Sequence, residues 1–286
     1  MIDLHTHTKY SDGTDDIREY LKNAEKQKLS VISITDHNTC KAYDELEKIN
    51  VEEYYSGNII TGVELNTKVL SIPIEILGYK IDTKKMQKLI DENYITNEER
   101  TILEVKRLEE CCMKADIILP IDFVEKYDHS MWPSKYLHKF ITKNSKNQKY
   151  IEKDAWEDSN VFYRKYMSNP NTMFYINMDD VLPDFKKVTK MIKEAGGLVF
   201  IPHIFEYRDN SEKILEYILK NYEIDGIECY YTTFSEIQTK RLLKICKERN
   251  LLISGGSDYH GKNKVGVEIG IGRGNLKIEN SIIKNW

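Results

Sequence analysis

Cysteine is scarce in this sequence and follows no ligand pattern. Five cysteines occur among 286 residues, and no two of them have the CxxC spacing of zinc sites and redox motifs. Long apolar runs are also missing: no stretch approaches the roughly 18 residues that a membrane helix needs, and the first residues lack the basic and apolar regions of a signal peptide. We therefore expect a cytoplasmic protein without membrane association and with buried free thiols.

Neither sign of charge is in large excess. The chain has 42 basic and 46 acidic side chains, with 41% hydrophobic residues. This balance argues against disorder and against a surface built to hold polyanions, so the sequence carries no strong nucleic-acid signature. A local basic patch stays compatible with these values. The sequence also has no Walker-type phosphate loop and no GxSxG nucleophile motif.

The alternation of strand-like and helical segments divides the chain into two kinds of region. Short β-rich runs alternate with helical stretches over residues 1–83 and again over 185–286, which predicts parallel βα units. Residues 84–184 interrupt this alternation with a long charged amphipathic stretch, followed by segments rich in Tyr, Lys and Asn. We expect an α/β domain from the outer segments, with 84–184 as a mostly helical insertion.

Histidines and carboxylates recur where the predicted strands end. Because the carboxyl ends of parallel strands meet at one rim, we expect these side chains to share one site. The spacing of His5 and His7 places both imidazoles on one face of a strand. Each residue alone is compatible with a structural role, but their joint occurrence favours a centre for divalent metals. The set comprises His5, His7, Asp12, Asp36, His37, Glu64, His203, Glu228, Asp258 and His260.

Six segments of the chain occur in a characteristic order: DLHTHTKYSDGT, ITDHNT, GVELNT, IPH, GIECYY and GGSDYHG. Together they resemble the motifs of PHP (polymerase and histidinol phosphatase) domain phosphoesterases, over about residues 1–82 and 190–275. The resemblance implies a distorted (β/α)7 barrel with two or three divalent metal ions, manganese, iron or zinc, at its rim. It also implies hydrolysis of phosphate esters, as in stand-alone bacterial phosphatases with a helical insertion.

The same resemblance implies how the ligands divide among the metals. A first metal takes His5, His7, Glu64 and Asp258, with Glu64 bridging to a second metal that also takes His203. A third metal takes Asp12, His37 and His260. The implied catalytic residues are His5, His7, Glu64, Asp258 and His260. Behind these ligands, Asp36 either orients His37 or caps its loop, and Glu228 accepts a hydrogen bond.

One position departs from the family pattern. Where relatives often read HILG, this chain reads EILG, with Glu75 in place of the histidine. If Glu75 binds metal, its oxygens make the second site harder and favour manganese, ferrous iron or magnesium over zinc. If Glu75 lies instead in a surface ion pair, the second site is weaker and only part of the cluster fills. We favour ligation, because an unbound carboxylate at that rim would repel Glu64.

The expected reaction is hydrolysis of a small phosphate monoester or a nucleotide by metal-activated hydroxide. Two alternatives stay open: an oligonucleotide exonuclease of the same family, acting 3′–5′ or 5′–3′, and a noncatalytic metal-stabilised binding protein. The balanced charge argues mildly against the nuclease. The nearly complete ligand set argues against the binding protein, which needs no open multinuclear cluster.

Substrate selection is expected to lie in the insertion. Relatives with this insertion often carry an Arg-Pro-His stretch that helps to hold phosphate, whereas the corresponding region here reads MWPSKYLHK. The candidate phosphate contacts are Lys135, Arg164, Lys165 and Arg208, although a solvated surface cation is the simpler interpretation of each. The candidate stacking residues are Trp132, Tyr136, Phe162 and Tyr163, which core packing explains at least as well.

Overall fold

Two sheets carry the strands of the described chain. The computed structural model describes residues 1–169 and 171–286, and its strands lie in the unit formed by Met1–Tyr94 and Val181–Trp286. The strands are β1 (Ile2–Asp3), β2 (Val31–Ile32), β3 (Asn58–Ile59), β4 (Gly62–Val69), β5 (Ile72–Tyr79), β6 (Leu198–Ile201), β7 (Gly226–Tyr231) and β8 (Leu252–Gly256). The first sheet has the order β1-β2-β3 and the second the order β4-β5-β6-β7-β8.

The prediction of parallel βα units is confirmed for most of these strands and wrong for one. β1, β2 and β3 pair in parallel, as do β6, β7 and β8. β5, however, pairs antiparallel with both β4 and β6. The reason is the connection: only Leu70 and Ser71, with φ of 53° and 59°, join β4 to β5. Two residues make a hairpin turn, whereas a parallel crossover needs a dozen or more.

Backbone hydrogen bonds connect the two sheets at two places. The Leu4 amide donates to the Gly255 carbonyl over 3.1 Å, which ties the segment after β1 to β8. The Asn38 amide donates to the Glu64 carbonyl over 2.8 Å, which ties the segment after β2 to β4. The two sheets are therefore joined along both of these edges, β1 to β8 and β2 to β4.

Helices flank these strands and form the remaining unit. The α-helices are α1 (Ile17–Lys26), α2 (Lys41–Leu46), α3 (Thr83–Asn93), α4 (Asn97–Lys114), α5 (Pro133–Ile141), α6 (Lys153–Glu157), α7 (Ser159–Phe162), α8 (Phe185–Glu194), α9 (Ser211–Asn221) and α10 (Glu236–Arg249). In the part of the chain that the structure describes, none of them is long and apolar enough to cross a bilayer. All five cysteines are free, as expected, and four of them are buried, whereas Cys111 is partly exposed.

Helix α8 shows how local sequence fixes the packing around the sheets. Asp184 caps its first turn by accepting a hydrogen bond from the Lys187 amide. Val188, Met191 and Ile192 then follow at the three- and four-residue spacing of one helix face, and all are buried. Each such side chain contributes about 1.5–3 kcal/mol on burial, so this stripe holds α8 in the core of the first unit.

The second unit, Ile95–Asp180, has a hydrophobic core of its own. Its longest helix, α4, begins with a capping box in which Thr96 and Glu99 each accept a hydrogen bond from the backbone amide of the other. Tyr136 and Phe162 are buried in this core, with 1% and 0% of their surface exposed. Core packing therefore accounts for these two predicted stacking residues, whereas 49% of the surface of Tyr163 is exposed.

Candidate metal centre

The strand-end histidines and carboxylates lie together in the first unit. His5 and His7 follow β1, His37 follows β2, His203 follows β6, and Asp258 and His260 follow β8. Glu64, Glu75 and Glu228 lie within β4, β5 and β7. The donor atoms form three overlapping groups, each with its atoms within 4.8 Å of one another: His5, His7, Glu64 and Asp258; His7, Asp12, His37 and His260; and His37, Glu64 and Glu75.

The first group is the most enclosed, because all four of its residues are buried. His5 Nε2 lies 3.0 Å from Glu64 Oε2. His7 Nε2 lies 3.2 Å from the same oxygen and 3.2 Å from Asp258 Oδ1. Two imidazole nitrogens and two carboxylate oxygens thus face one another inside the protein.

The geometry of His7 tests whether these residues fit a metal ion. Both of its ring nitrogens are buried and lack a hydrogen-bond partner, although two carboxylate oxygens lie 3.2 Å from Nε2. A buried polar atom without a hydrogen bond costs about 1–3 kcal/mol of folding stability. Here the carboxylate oxygens are close to His7 Nε2, but they are not aligned to form hydrogen bonds with it. Ligands about 2.1 Å from a shared cation stand about 3–4 Å apart, which matches these separations. The donor set therefore fits a divalent cation.

The second group gives His7 a wider role than the family resemblance implies. Asp12 Oδ1 lies 3.2 Å from His260 Nε2 and 3.9 Å from His37 Nε2, the partners implied for a third metal. The same oxygen lies 3.8 Å from His7 Nδ1. His7 therefore has one ring nitrogen facing each group of donors.

Glu75 faces the cluster. Its Oε2 lies 3.3 Å from His203 Nε2, and its Oε1 lies 3.7 Å from His37 Nδ1. The register of the hairpin explains this direction, because Glu64 pairs with Leu77, two residues from Glu75, so both carboxylates lie on one face of the sheet. The Glu75 amide also donates a 2.8 Å hydrogen bond to Tyr207 Oη. The ion pairs of Glu75 thus join it to cluster histidines.

Glu228 fixes the orientation of His5 from behind. Its Oε1 accepts a hydrogen bond from His5 Nδ1 over 3.0 Å, and its Oε2 accepts one from the His203 amide over 2.7 Å. A proton held on Nδ1 leaves His5 Nε2 with a free lone pair directed at the cluster. Glu228 is fully buried, and these two contacts make it the hydrogen-bond acceptor that the sequence predicts.

Asp36 caps the loop that carries Asp12. It accepts hydrogen bonds from the Thr8 amide at 2.7 Å, the Thr8 hydroxyl at 2.6 Å and the Ser11 hydroxyl at 2.5 Å. Of the two roles considered from the sequence, these contacts support a cap, but of the loop after β1 and not of the loop that carries His37. The buried carboxylate holds the turn between His7 and Asp12 in one conformation.

Charge complementarity keeps the carboxylates of the cluster ionised. Burial alone would raise the pKa of Glu64, but His5, His37 and His203 hold that pKa well below its usual value. The effect is reciprocal: burial lowers the pKa of His7, yet Asp258 and Glu64 hold it at about 10. Without a cation, His7 therefore carries a proton that metal binding has to displace.

The predicted substrate contacts belong to two different units of the chain. Lys135 lies in the second unit with its ammonium 4.5 Å from the centre of the Trp132 ring, and Arg164 lies in a π-helical turn of the same unit. Lys165 is already paired with Glu152 at 2.7 Å and Asp154 at 2.8 Å, which argues against a role in phosphate binding. Arg208 lies in the first unit with φ of 51° and ψ of −121°. For Lys135, Arg164 and Arg208, a substrate contact stays a prediction.

Sequence reasoning missed two residues that contact Asp258. Tyr231 donates a 2.6 Å hydrogen bond to Asp258 Oδ2, and the Lys264 ammonium contacts the same oxygen. The position of Tyr231 at the end of a predicted strand was an available signal. Lys264 lies in a loop without periodicity, where nothing in the sequence distinguishes it from neighbouring lysines.

Comparison with known proteins assigns the chain to a family. A model of the PHP domain family matches residues 3–249. The chain belongs to the PHP domain family. The match ends before Asp258 and His260, which the structure nevertheless brings to the other donors of this PHP domain.

Curated relatives of this PHP protein match nearly the whole chain. A 5′-3′ exoribonuclease of Haemophilus influenzae is 25% identical, over 99% of this chain and 97% of the relative. The exoribonuclease Rnm of Escherichia coli is 22% identical, over 91% of this chain and 85% of the relative. A phosphoribosyl 1,2-cyclic phosphate 1,2-diphosphodiesterase of Eggerthella lenta is 20% identical, over 91% and 94%.

Solved structures share the fold. A proposed metal-dependent phosphoesterase of Bifidobacterium adolescentis has a TM-score of 0.67 at 22% identity, and covers 94% of this chain and 91% of its own. An amidohydrolase of Chromobacterium violaceum has a TM-score of 0.73 at 20% identity, over 94% and 89%. These likenesses establish an α/β fold of the PHP type.

Proposed function

We propose that this PHP protein is a metal-dependent phosphoesterase. The observation that carries the proposal is His7, whose two buried ring nitrogens lack hydrogen-bond partners and face two groups of carboxylate and imidazole donors. In a fold stabilised by ordinary polar contacts, both nitrogens would have hydrogen-bond partners. A centre for several cations explains why these nitrogens are buried without hydrogen bonds although carboxylates lie beside them.

The proposed ligands keep the division among three metals that the family resemblance implies, with Glu75 added to the second metal. The first metal takes His5, His7, Glu64 and Asp258; the second takes Glu64, Glu75 and His203; the third takes Asp12, His37 and His260. Two or three ions of manganese, iron or zinc are proposed. When bound, such cations neutralise phosphoryl oxygens and lower the pKa of water.

The residues of the chain contribute orientation and charge. Glu228 holds His5 in one tautomer, and the loop capped by Asp36 holds Asp12. Glu64 is shared, because its two oxygens face different histidines: Oε2 faces His5 and Oε1 faces His203. The proposed catalytic set is His5, His7, Glu64, Asp258 and His260, which hold the cations against the phosphate ester.

The substrate is proposed to be a small phosphate monoester or a nucleotide. A second candidate is the 5′ end of an RNA chain, because relatives that match over 91% or more of this chain are named 5′-3′ exoribonucleases. Those names count weakly against the expectation that the chain has no strong nucleic-acid signature. The full set of donors argues against a noncatalytic binding protein.

The proposal includes a closed arrangement of the first unit and a role for the insertion. The two sheets would form a distorted (β/α)7 barrel, which the hydrogen bonds from Leu4 to Gly255 and from Asn38 to Glu64 support. Residues 84–184 would select the substrate, with Lys135 and Arg164 as phosphate contacts. Arg208 would contribute from the first unit, where its left-handed backbone is a conformation often retained at functional sites.

Metal content and phosphatase activity test this function together. The purified protein is expected to contain at least one divalent metal by mass spectrometry and to hydrolyse p-nitrophenyl phosphate with added manganese. His7→Ala is expected to lose both properties, whereas His129→Ala, which removes an exposed histidine of the second unit, is expected to keep them. Equal metal content and turnover in wild type and His7→Ala would overturn the proposal.

A substrate comparison separates the two candidates. A nucleoside monophosphate and a 5′-phosphorylated oligoribonucleotide are supplied at equal phosphate concentration. Faster release of phosphate from the mononucleotide supports the small-ester function. Stepwise shortening of the oligoribonucleotide from its 5′ end, with little monophosphatase activity, supports the exoribonuclease.

A further inference from the structure

The two oxygens of Asp258 have different partners. Oδ1 faces the cluster, 3.2 Å from His7 Nε2 and 3.4 Å from His260 Nδ1. Oδ2 accepts a 2.6 Å hydrogen bond from the Tyr231 hydroxyl and contacts the Lys264 ammonium. One oxygen is thereby directed at the donors of the cluster, and the other is occupied by protein groups.

Tyr231 and Lys264 also contact each other. The Lys264 ammonium donates to Tyr231 Oη over 3.1 Å and lies 5.4 Å from the centre of its ring. Tyr231 is 4% exposed, and the Lys264 side chain is only 23% exposed. Charge-assisted hydrogen bonds are about twice as strong as neutral ones, so this triangle restrains the Asp258 carboxylate against rotation.

We infer that Lys264 and Tyr231 are positioning residues that hold Asp258 as a one-oxygen ligand of the metal centre, an inference that rests on the proposed function. Asp258 itself has φ of 56°, a left-handed conformation that is uncommon outside glycine. Both the backbone and the distal oxygen of Asp258 are thus held in one arrangement. The occupied Oδ2 leaves Oδ1 as the oxygen available to a cation.

Charge alone predicts the opposite effect of Lys264 on metal binding. A lysine beside a ligand repels a divalent cation, so its removal would tighten binding if the lysine acted only through its charge. If instead it orients Asp258, its removal weakens binding although a positive charge is lost. The sign of the change in affinity therefore distinguishes positioning from simple repulsion.

Calorimetric titration of the metal-free, full-length protein with Mn²⁺ measures that sign. Lys264→Met is expected to weaken binding by about tenfold or more, the usual cost of removing a group that orients a ligand. Tyr231→Phe is expected to weaken binding as well, and Lys264→Arg to retain most of the affinity. Lys262→Met is the matched control, because it removes the same charge from an exposed neighbour in the same loop.

The possible outcomes separate this inference from the proposed function. Unchanged or tighter binding by Lys264→Met overturns the positioning role, as does an equal loss in Lys262→Met. If circular dichroism shows that Lys264→Met is unfolded, Tyr231→Phe decides, and wild-type affinity in that variant overturns the inference. A wild-type protein that binds no Mn²⁺ contradicts the proposed function itself.

Discussion

The metal cluster has two sides that differ in burial and in donor type. On one side, His5, His7, Glu64 and Asp258 are all buried and offer two imidazoles and two carboxylates. On the other side, the Glu75 side chain is 27% exposed and meets both His203 and His37, and His203 also meets the second oxygen of Glu64. The ligands proposed for the second metal are two carboxylates, Glu64 and Glu75, and one imidazole, His203. Glu64 belongs to both sides.

The difference between the two sides links the replacement of a family histidine by Glu75 to metal preference. Imidazole suits zinc and iron, whereas carboxylate oxygens suit manganese and magnesium. Glu75 therefore turns the partly exposed side into the harder site and leaves the buried side unchanged. The same contrast predicts which substitutions affect the whole centre and which affect one side.

Removal of the shared carboxylate should have the largest effect. Glu64→Gln keeps the side-chain volume but takes the negative charge from both sides at once. Loss of a group that merely orients a ligand costs about 10–100-fold, so loss of a shared ligand should lower turnover by at least about 100-fold. Steady-state kinetics with saturating Mn²⁺ measures this change, and activity within a few-fold of wild type would show that Glu64 is not shared.

A change of pH should affect metal binding nearly as strongly as the loss of Glu64 affects turnover. Burial lowers the pKa of His203, but Glu64 and Glu75 hold it at about 9, and the pKa of His7 lies at about 10. Because a protonated imidazole cannot bind metal, each proton displaced lowers the apparent affinity about tenfold per pH unit below these values. Mn²⁺ titrations in buffers of different ionisation enthalpy count the protons released. Affinity that does not change with pH would contradict this assignment.

Disruption of the orientation of His5 should act mainly on the buried side. Glu228→Gln offers one acceptor oxygen where the carboxylate accepts from both His5 and the His203 amide. We expect about a tenfold loss of affinity for the first metal, measured by calorimetry. Glu223→Gln, at a residue just before β7, serves as the control and should bind metal as wild type does.

Replacing Glu75 with the histidine that relatives carry should have the smallest effect, and it should make the donors of the two sides more alike. Glu75→His replaces an oxygen donor with an imidazole on the partly exposed side only. The ratio of Zn²⁺ to Mn²⁺ affinity should rise about tenfold, with the buried side unaffected. Competition titrations of the two metals measure the ratio, and an unchanged ratio would mean that Glu75 does not select the metal.

Much of this architecture can be predicted from the sequence because strands and helices alternate along it. The segments that contain β6, β7 and β8 are each bounded by a helix and a turn, so their parallel order follows from alternation. The histidines that follow β6 and β8 are recognisable from their position alone. The reversed direction of β5 is harder to predict, since a two-residue turn of Leu70 and Ser71 lacks the Asn or Gly typical of such hairpins.

Other parts of the centre depend on contacts between distant residues. The orientation of Glu75 follows from its register against β4, which the turn at Leu70 and Ser71 fixes and which cannot be predicted until that turn is recognised. Lys264 reaches Asp258 through an irregular loop, and Glu228 meets His5 across 223 positions of sequence. Composition and spacing identify residues suited to bind metal, but only tertiary structure shows which groups orient them.

Anomalous diffraction from crystals grown with Mn²⁺ tests the central claim most directly. The account predicts one strong peak about 2.0–2.3 Å from donor atoms of His5, His7, Glu64 and Asp258, and a second peak within reach of Glu64, Glu75 and His203. Data collected on both sides of the manganese edge would identify the element. A cluster that shows no anomalous peak at saturating Mn²⁺ would contradict the account.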